Sequence, residues 1–307
     1  MALHNECAAL EGPAFERAQI YLARFNRLRL TPTAGPPRSG ESEEHFLRKE
    51  AAFIEAALSK IRPLIHDVPA DAGKFVDWFE ALRDSGPGQE DALFPWLASR
   101  ASLEEMKWFL QQEAAGEAGF DDLVALTQIK MPQRAKLEMA RNYWDEMGRG
   151  TPAGMHGLML ERLVEHFEIV PEIETTVPEA LAIGNVMLAL ACSRHYAFLS
   201  VGALGAIEMT APSRVRFVDI GLKRLGVPAY YRTYFALHAT LDVKHSQSWN
   251  REVIYSLVAE DERRSAAIAE GAVLRLWCGQ RCFERYRNRF GVRVDAHCAA
   301  IAPREHA

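Results

Sequence analysis

The sharpest chemical signal in the sequence is His238-x-x-x-Asp242-x-x-His245, inside AYYRTYFALHATLDVKHSQSW. On a helix, residues at i, i+4 and i+7 fall within a narrow arc, so both imidazoles and the carboxylate point the same way. Tyr231, Tyr234 and Phe235 continue that face toward its amino end, which predicts that it looks inward. Burying two histidines and an aspartate without partners is costly, and a metal ion removes that cost directly. A pair of core histidines bonded to nearby polar groups satisfies the same spacing.

Three other places offer matching groups. Glu208 stands thirty residues before His238, at the end of the apolar stretch SVGALGAIEM; it is either an inward ligand or a helix end that has reached solvent. Glu146 closes an amphipathic segment, a Gly-rich turn follows, and His156 begins the next segment beside Met155, Leu158, Met159 and Leu160. A core histidine bonded to a backbone carbonyl is the competing reading of His156. Further upstream, WFLQQEAAGEAGFDDL offers Glu113, with Glu117 one turn later as the competing choice.

Helices must position these groups. Apolar residues recur at helical spacing over roughly 44–62, 70–84, 101–116, 120–129, 133–147, 152–167, 178–209, 213–225, 229–247 and 250–289. Breaks fall at Ser85-Gly86-Pro87-Gly88, Gly148-Arg149-Gly150-Thr151-Pro152 and Gly226-Val227-Pro228. Alternating runs rich in β-branched residues are nearly absent, so the expected fold class is all-α, a helical bundle. Pro13–Leu30 reads as a helical arm, loosely docked, and TPTAGPPRSGESE as a linker. The expected division is therefore an arm and linker over 1–43, one helical domain over 44–290, and a tail over 291–307. Nucleotide cradles such as GxGxxG and the common nucleophile motifs are absent.

Composition narrows the function classes. Among 307 residues, 36 Lys and Arg face 41 Asp and Glu, a formal charge of -5 that offers no footprint for nucleic acid. The apolar stretch Ala180 to Ile207 is interrupted by Asn185 and by Ser193-Arg194-His195, so a membrane span is not expected. Five cysteines, odd in number and sparse, argue against a disulfide framework. The amino-terminal ten residues lack the basic and apolar run of an export signal, and the expected location is the cytoplasm.

Taken in order, three pieces resemble the heme-oxygenase-like di-iron oxidases, a family described as iron-containing redox enzymes. They are an acidic helix followed by FDDLVALTQ, NYWDEMGRG running into MHGLML, and Glu208 about thirty residues before His238-x-x-x-Asp242-x-x-His245. The resemblance covers roughly residues 100–250 and implies a heme-oxygenase-like helical bundle, here with additional N-terminal helices. Carried over position by position, it implies the metal ligands Glu113 (or Glu117), Glu146, His156, Glu208, His238, Asp242 and His245. Some members carry a further carboxylate three residues before the first histidine; this chain has Ala153, which weakens transfer of the N-oxygenase reading. Three neutral imidazoles and four carboxylates would balance two ferrous ions. That donor count favours iron, with manganese as the alternative, over tetrahedral zinc.

The implied activity is that of a non-heme oxidase or oxygenase holding two Fe(2+) per chain, with O2 as co-substrate. Its substrate would be a small amino-acid-like or fatty-acid-like molecule, altered by N-oxygenation, desaturation or oxidative C–C cleavage. Tyr231, Tyr234 and Phe235 are candidate pocket walls, with core packing the competing role for at least two of them. Arg141, Arg194 and Arg232 could meet a substrate carboxylate, although arginines on helices are usually solvated or ion-paired. One alternative is a metal-free binder of a small heterocycle with the same fold, thiaminase-like or quinone-cofactor-synthesis-like. Another is a helical interaction protein. Monomer and homodimer are both compatible with the sequence.

Overall fold

The expected helical segments form, and the computed structural model describes residues 8–34, 43–116 and 119–293. In chain order the helices are α1 (Gly12–Leu30), α2 (Glu43–Ile61), α3 (Ala72–Ser85), α4 (Leu93–Ser99), α5 (Leu103–Gly116), α6 (Phe120–Thr127) and α7 (Gln133–Glu146). They continue with α8 (His156–His166), α9 (Pro178–Cys192), α10 (Ala197–Arg224), α11 (Thr233–Ser248), a π-helical segment (Trp249–Ile254), α12 (Tyr255–Glu260) and α13 (Arg264–Phe290). Among the described residues the β-type pairing is a single antiparallel bridge, Met147 to Met155. Glu117, two of the five cysteines (Cys7 and Cys298), most of the linker and most of the tail fall outside the described residues.

Helix α9 and the first half of α10, residues 197–210, are apolar on nearly every face, and a helix of that kind belongs at the centre. Helix α10 crosses α13 at backbone contact. A Cβ on Gly202 would lie 1.9 Å from the Ile268 carbonyl oxygen, and one on Gly271 would lie 1.8 Å from that of Leu199. Only hydrogen fits at either place, so these glycines set the helix separation.

The sequence predicts one segment over 178–209 and a break near Pro212; both differ in the structure. The chain turns through 96° between α9 and the segment Arg194–Arg224. Ser193 is extended there, and Arg194 Nη1 donates to the carbonyls of Leu126 and Thr127, which holds the corner. Helix α10 then runs through Pro212. Proline forfeits one helical hydrogen bond, the one to the carbonyl of Glu208. The Thr210 and Ser213 hydroxyls donate to the carbonyls of Ala206 and Thr210 on either side. The segment predicted over 250–289 divides into the π-helical turn, α12 and α13, with Asp261 extended at the break.

Expected as a loose arm, α1 instead packs into the core through Phe15 and Leu22. Asn185, the polar interruption in the apolar stretch, explains part of that docking. Asn26 Nδ2 donates to Asn185 Oδ1 at 2.9 Å, and Asn185 Nδ2 donates to the Gln19 carbonyl at 3.0 Å. No single described helix is long and apolar enough to cross a membrane.

The apolar interior falls into two clusters. One joins α1–α3, α6, α7, α9 and the first half of α10; the other joins α4, α5, the far ends of α10 and α13, and the start of α11. Ile183 packs against both, and a cavity lies where they meet.

Candidate metal centre

Helix α7 carries Asn142, Asp145 and Glu146 at i, i+3 and i+4, a spacing that puts all three on one face. Gly148 then takes a positive φ of 59°, and the chain folds back so that Met147 pairs with Met155. A Cβ on Gly148 would lie 2.3 Å from the Gly154 carbonyl carbon, so this reversal needs glycine. The reversal places His156 against Glu146, with Nδ1 2.6 Å from Oε2 and both side chains buried.

Glu208 sits in the middle of α10 at 2% exposure, which excludes the reading of a helix end in solvent. Asn142 Nδ2 donates to its Oε1 at 2.5 Å. His238, Asp242 and His245 are all buried on one face of α11. His238 Nδ1 lies 2.7 Å from the Tyr234 carbonyl. A carbonyl only accepts, so Nδ1 carries the proton and Nε2 is left as the free lone pair. The edge-to-face approach of the His156 and His238 rings, 4.6 Å between centroids, brings α8 and α11 together at this point. His245 Nε2 meets Asp145 Oδ2 at 3.3 Å, while its Nδ1 stands 3.6 Å from Glu208 Oε2, too long for a hydrogen bond.

These side chains form two overlapping triads, Glu146–His156–His238 and Glu146–Glu208–His245, whose donor atoms lie within 4.8 Å of one another. Ligands about 2.1 Å from a first-row ion occupy an envelope of that size. The chemistry of the cluster fits a cation in a second way. His156 Nδ1, His245 Nδ1 and Asp242 Oδ1 are buried and have no hydrogen-bond partner. Such atoms are costly in a folded interior unless a ligand or ion meets them.

The electrostatics follow from this crowding. Burial, together with Glu208 and Glu146, pushes the Asp242 carboxyl up to about 10. Burial opposes charge on His245, yet Glu208, with Asp145 and Glu146, outweighs it and raises that imidazole to about 9. Burial and a neighbouring imidazole push His156 and His238 down to about 4, so both are neutral and ready to donate a lone pair.

A cavity of about 140 Å³ adjoins Glu146, His156, Glu208, His238 and Asp242. Its remaining wall is largely apolar, including Leu160, Ile183, Met187, Ile207 and Val215. A wider recess of about 520 Å³ shares Gly119, Asp121, Glu146, Gly157 and Leu160 with it and runs outward past exposed Glu161 and Glu165.

Of the seven expected ligand positions, six converge here. Glu113 does not join them: its Oε1 accepts from the Tyr286 hydroxyl at 3.1 Å, near Arg275 and Arg214, and it forms no part of the cavity wall. The reason is rotational, since the α5 face that carries Glu113 packs toward α13. Of the three candidate pocket aromatics, Tyr234 lines the cavity. Tyr231 instead stacks on His166 at 3.9 Å, and Phe235 is buried in the second apolar cluster. Arg141 pairs with Glu138, Arg194 holds the α9–α10 corner, and Arg232 pairs with Asp219; none lines the cavity.

Sequence reasoning did not single out four residues that matter here. Asp121, in the first turn of α6, lines the cavity, and its charge acts on His156. It was legible only as one of two acids at a helix start. Asp145 and Asn142 hold His245 and Glu208, and their i, i+3, i+4 register with Glu146 was the available signal. Arg275, on α13, lines the cavity with nothing in its local sequence to mark it.

Fold and site together define an all-α bundle whose centre gathers buried carboxylates and imidazoles that could hold a metal ion. Residues 107–280, more than half of the chain, match the family described as iron-containing redox enzyme, and the chain belongs to that family. Among solved structures it is similar to a CADD-like protein of unknown function from Nostoc punctiforme (16% identity, TM-score 0.56, covering 71% of this chain and 97% of that one). It is also similar to a domain of unknown function with a heme oxygenase-like fold from Shewanella denitrificans (12% identity, TM-score 0.50, covering 76% and 96%). The fold is thus heme-oxygenase-like. No curated protein matches the chain.

Proposed function

We propose that this chain is an O2-dependent non-heme di-iron oxidase or oxygenase acting on a small amino-acid-like or fatty-acid-like metabolite, by N-oxygenation, desaturation or oxidative C–C cleavage. One observation carries the reading: two buried donor triads share Glu146 and open onto a largely apolar cavity. Glu146, His156 and His238 would hold one ion and Glu146, Glu208 and His245 the other, with Asp242 as a further carboxylate donor. Bound iron would supply the electrons and Lewis acidity for reducing dioxygen.

The protein's own part is positioning and exclusion of water. The Tyr234 carbonyl accepts a hydrogen bond from His238 Nδ1–H and so aims Nε2 at the site. Asp145 orients the His245 ring, and Asn142 fixes one Glu208 oxygen, roles typical of the groups behind metal ligands. Leu160, Ile183, Met187 and Ile207 keep the adjoining space dry for an organic substrate.

Anaerobic loading with Fe(II), metal analysis and rapid mixing with O2 test this reading. The expected result is more than one iron per chain and a transient absorbance on mixing. Less than one iron and no transient would overturn it. A metal-free heterocycle binder would show a melting temperature indifferent to chelation and iron re-addition.

A further inference from the structure

The outer recess that adjoins the donor cluster carries charge of one sign. Its charged lining is Asp121, Glu146, Glu161 and Glu165, and no lysine, arginine or histidine forms part of its wall. On α8, Gly157, Glu161 and Glu165 stand at i, i+4 and i+8, so they share one face over about 12 Å of helix. Exposure falls along the way in: Glu165 and Glu161 are exposed, Asp121 is half-buried and Glu146 is buried. Among the described residues no ion pair involves Glu161 or Glu165. The nearby cations turn elsewhere. Arg162 donates to the Tyr230 hydroxyl and the Ala153 carbonyl, and Lys107 lies over the Phe167 ring. Like charges at i and i+4 destabilise a helix slightly, so α8 keeps this pair at a cost.

Gly119 and Gly157 line both the recess and the cavity behind it. A Cβ on Gly119 would lie 3.6 Å from Asp121 Oδ1 and 3.7 Å from Asp122 Oδ2, which puts two carboxylates at the junction. A Cβ on Gly157 would meet nothing within 4 Å, so the passage is open on that side. Beyond the junction, His156 Nδ1 and Asp242 Oδ1 are buried and have no hydrogen-bond partner. An acidic surface alone would simply be solvated; this one ends on buried donors that a cation would satisfy.

We infer that the recess is the route by which divalent metal enters the site, with Glu161 and Glu165 as the capture point for the hydrated ion and Asp121 as the step from there to Glu146. The inference rests on the proposed function for the role of the donor cluster. A cleft lined by one sign of charge between low-dielectric walls focuses its field and raises the local concentration of counter-ions; Leu158, Leu160, Val164 and Pro171 supply such walls. Direction comes from donor chemistry. The mouth offers carboxylates alone, whereas the interior adds the imidazoles of His156, His238 and His245, which first-row transition ions prefer. An ion held loosely at Glu161 and Glu165 therefore gains by moving inward.

Anaerobic loading of the full-length chain with Fe(II), sampled over time by quenching with a chromogenic chelator, reads the rate and the final iron content separately. Glu161→Gln/Glu165→Gln should load about three- to tenfold more slowly than wild type at low salt and reach the same iron content. Glu161→Asp/Glu165→Asp keeps the charge and should load within about twofold of wild type. Added salt should slow the wild type and narrow its lead over the Gln variant. Gly157→Leu puts a side chain into the passage without changing charge, and it should slow loading too. Glu11→Gln/Glu16→Gln makes the same charge change on α1, which forms no part of the recess, and should load as wild type does.

The inference is overturned if the Glu161→Gln/Glu165→Gln chain loads at the wild-type rate, as it would were the recess reserved for an organic cation. It is also overturned if the α1 control slows loading equally, or if final iron content falls in step with the rate, which would make Glu161 and Glu165 ligands. A wild-type chain that takes up no iron overturns the di-iron reading and this inference together. Wild-type loading that every recess variant leaves unchanged overturns this inference alone.

Discussion

Glu146 and His156 lie at opposite ends of a glycine-rich turn, yet Glu146 Oε2 and His156 Nδ1 approach to 2.6 Å without the geometry of a hydrogen bond. The His156 imidazole is neutral at ordinary pH, and in the tautomer protonated at Nε2 it presents a lone pair close to a carboxylate. That arrangement is unfavourable between the two groups alone and favourable around a cation. Glu146 also belongs to the second triad, with Glu208 and His245.

Because it is shared, Glu146 should matter more than any ligand of one triad. Glu146→Gln is expected to lose most iron at both positions, whereas His238→Ala should retain about one of the roughly two ions that such a bundle holds. Metal analysis after anaerobic loading distinguishes them; equal loading of the two variants would contradict a shared role for Glu146.

Metal binding should release protons. At pH 7 the Asp242 carboxyl, raised to about 10, and the His245 imidazole, raised to about 9, are protonated in the metal-free chain, and binding must displace both protons. His156 and His238, lowered to about 4, are already deprotonated and release nothing above about pH 5. The sign is therefore tighter binding as pH rises from about 6 toward 9, by up to about tenfold per unit per proton displaced. Calorimetry in buffers of different ionisation enthalpy counts the protons. A result near zero would mean that Asp242 and His245 stay outside the coordination.

Asn142→Ala removes the donor that holds Glu208 Oε1 and leaves every candidate ligand in place. Iron affinity should fall about 10- to 100-fold, as it does when groups behind metal ligands are lost. Competition with a chromogenic chelator measures this, and circular dichroism should show an unchanged helical content.

Gly148→Ala tests the turn. The new Cβ would meet the Gly154 backbone at 2.3 Å, and φ is positive there. The expected cost is about 2–4 kcal/mol, seen as a fall of roughly 5–10 °C in melting temperature together with weaker iron loading. Gly157→Ala on the adjoining helix, where nothing lies within 4 Å, is the control and should be neutral or gain up to about 1 kcal/mol.

Much of the candidate site was legible in the sequence because its groups are local. His238, Asp242 and His245 share a face by helical spacing alone, and the Gly148 turn ties His156 to Glu146 within a few residues. The all-α class followed from the same periodicity. Local reasoning stopped at the rotation of one helix against another distant in sequence. Glu113 had the right type and an inward face, but the packing of α5 on α13 sends it to Tyr286. Asp121 on α6 and Arg275 on α13 line the cavity because of how those helices are rotated, which their local sequence does not state. The bend at Ser193 likewise depends on what surrounds it, the carbonyls of Leu126 and Thr127. Sequence alone determined which donors each helix could present and which of them share a face. Tertiary structure decided which faces meet, because helix rotation is set by apolar side chains and glycine contacts such as Gly202 on Ile268, summed over the whole core.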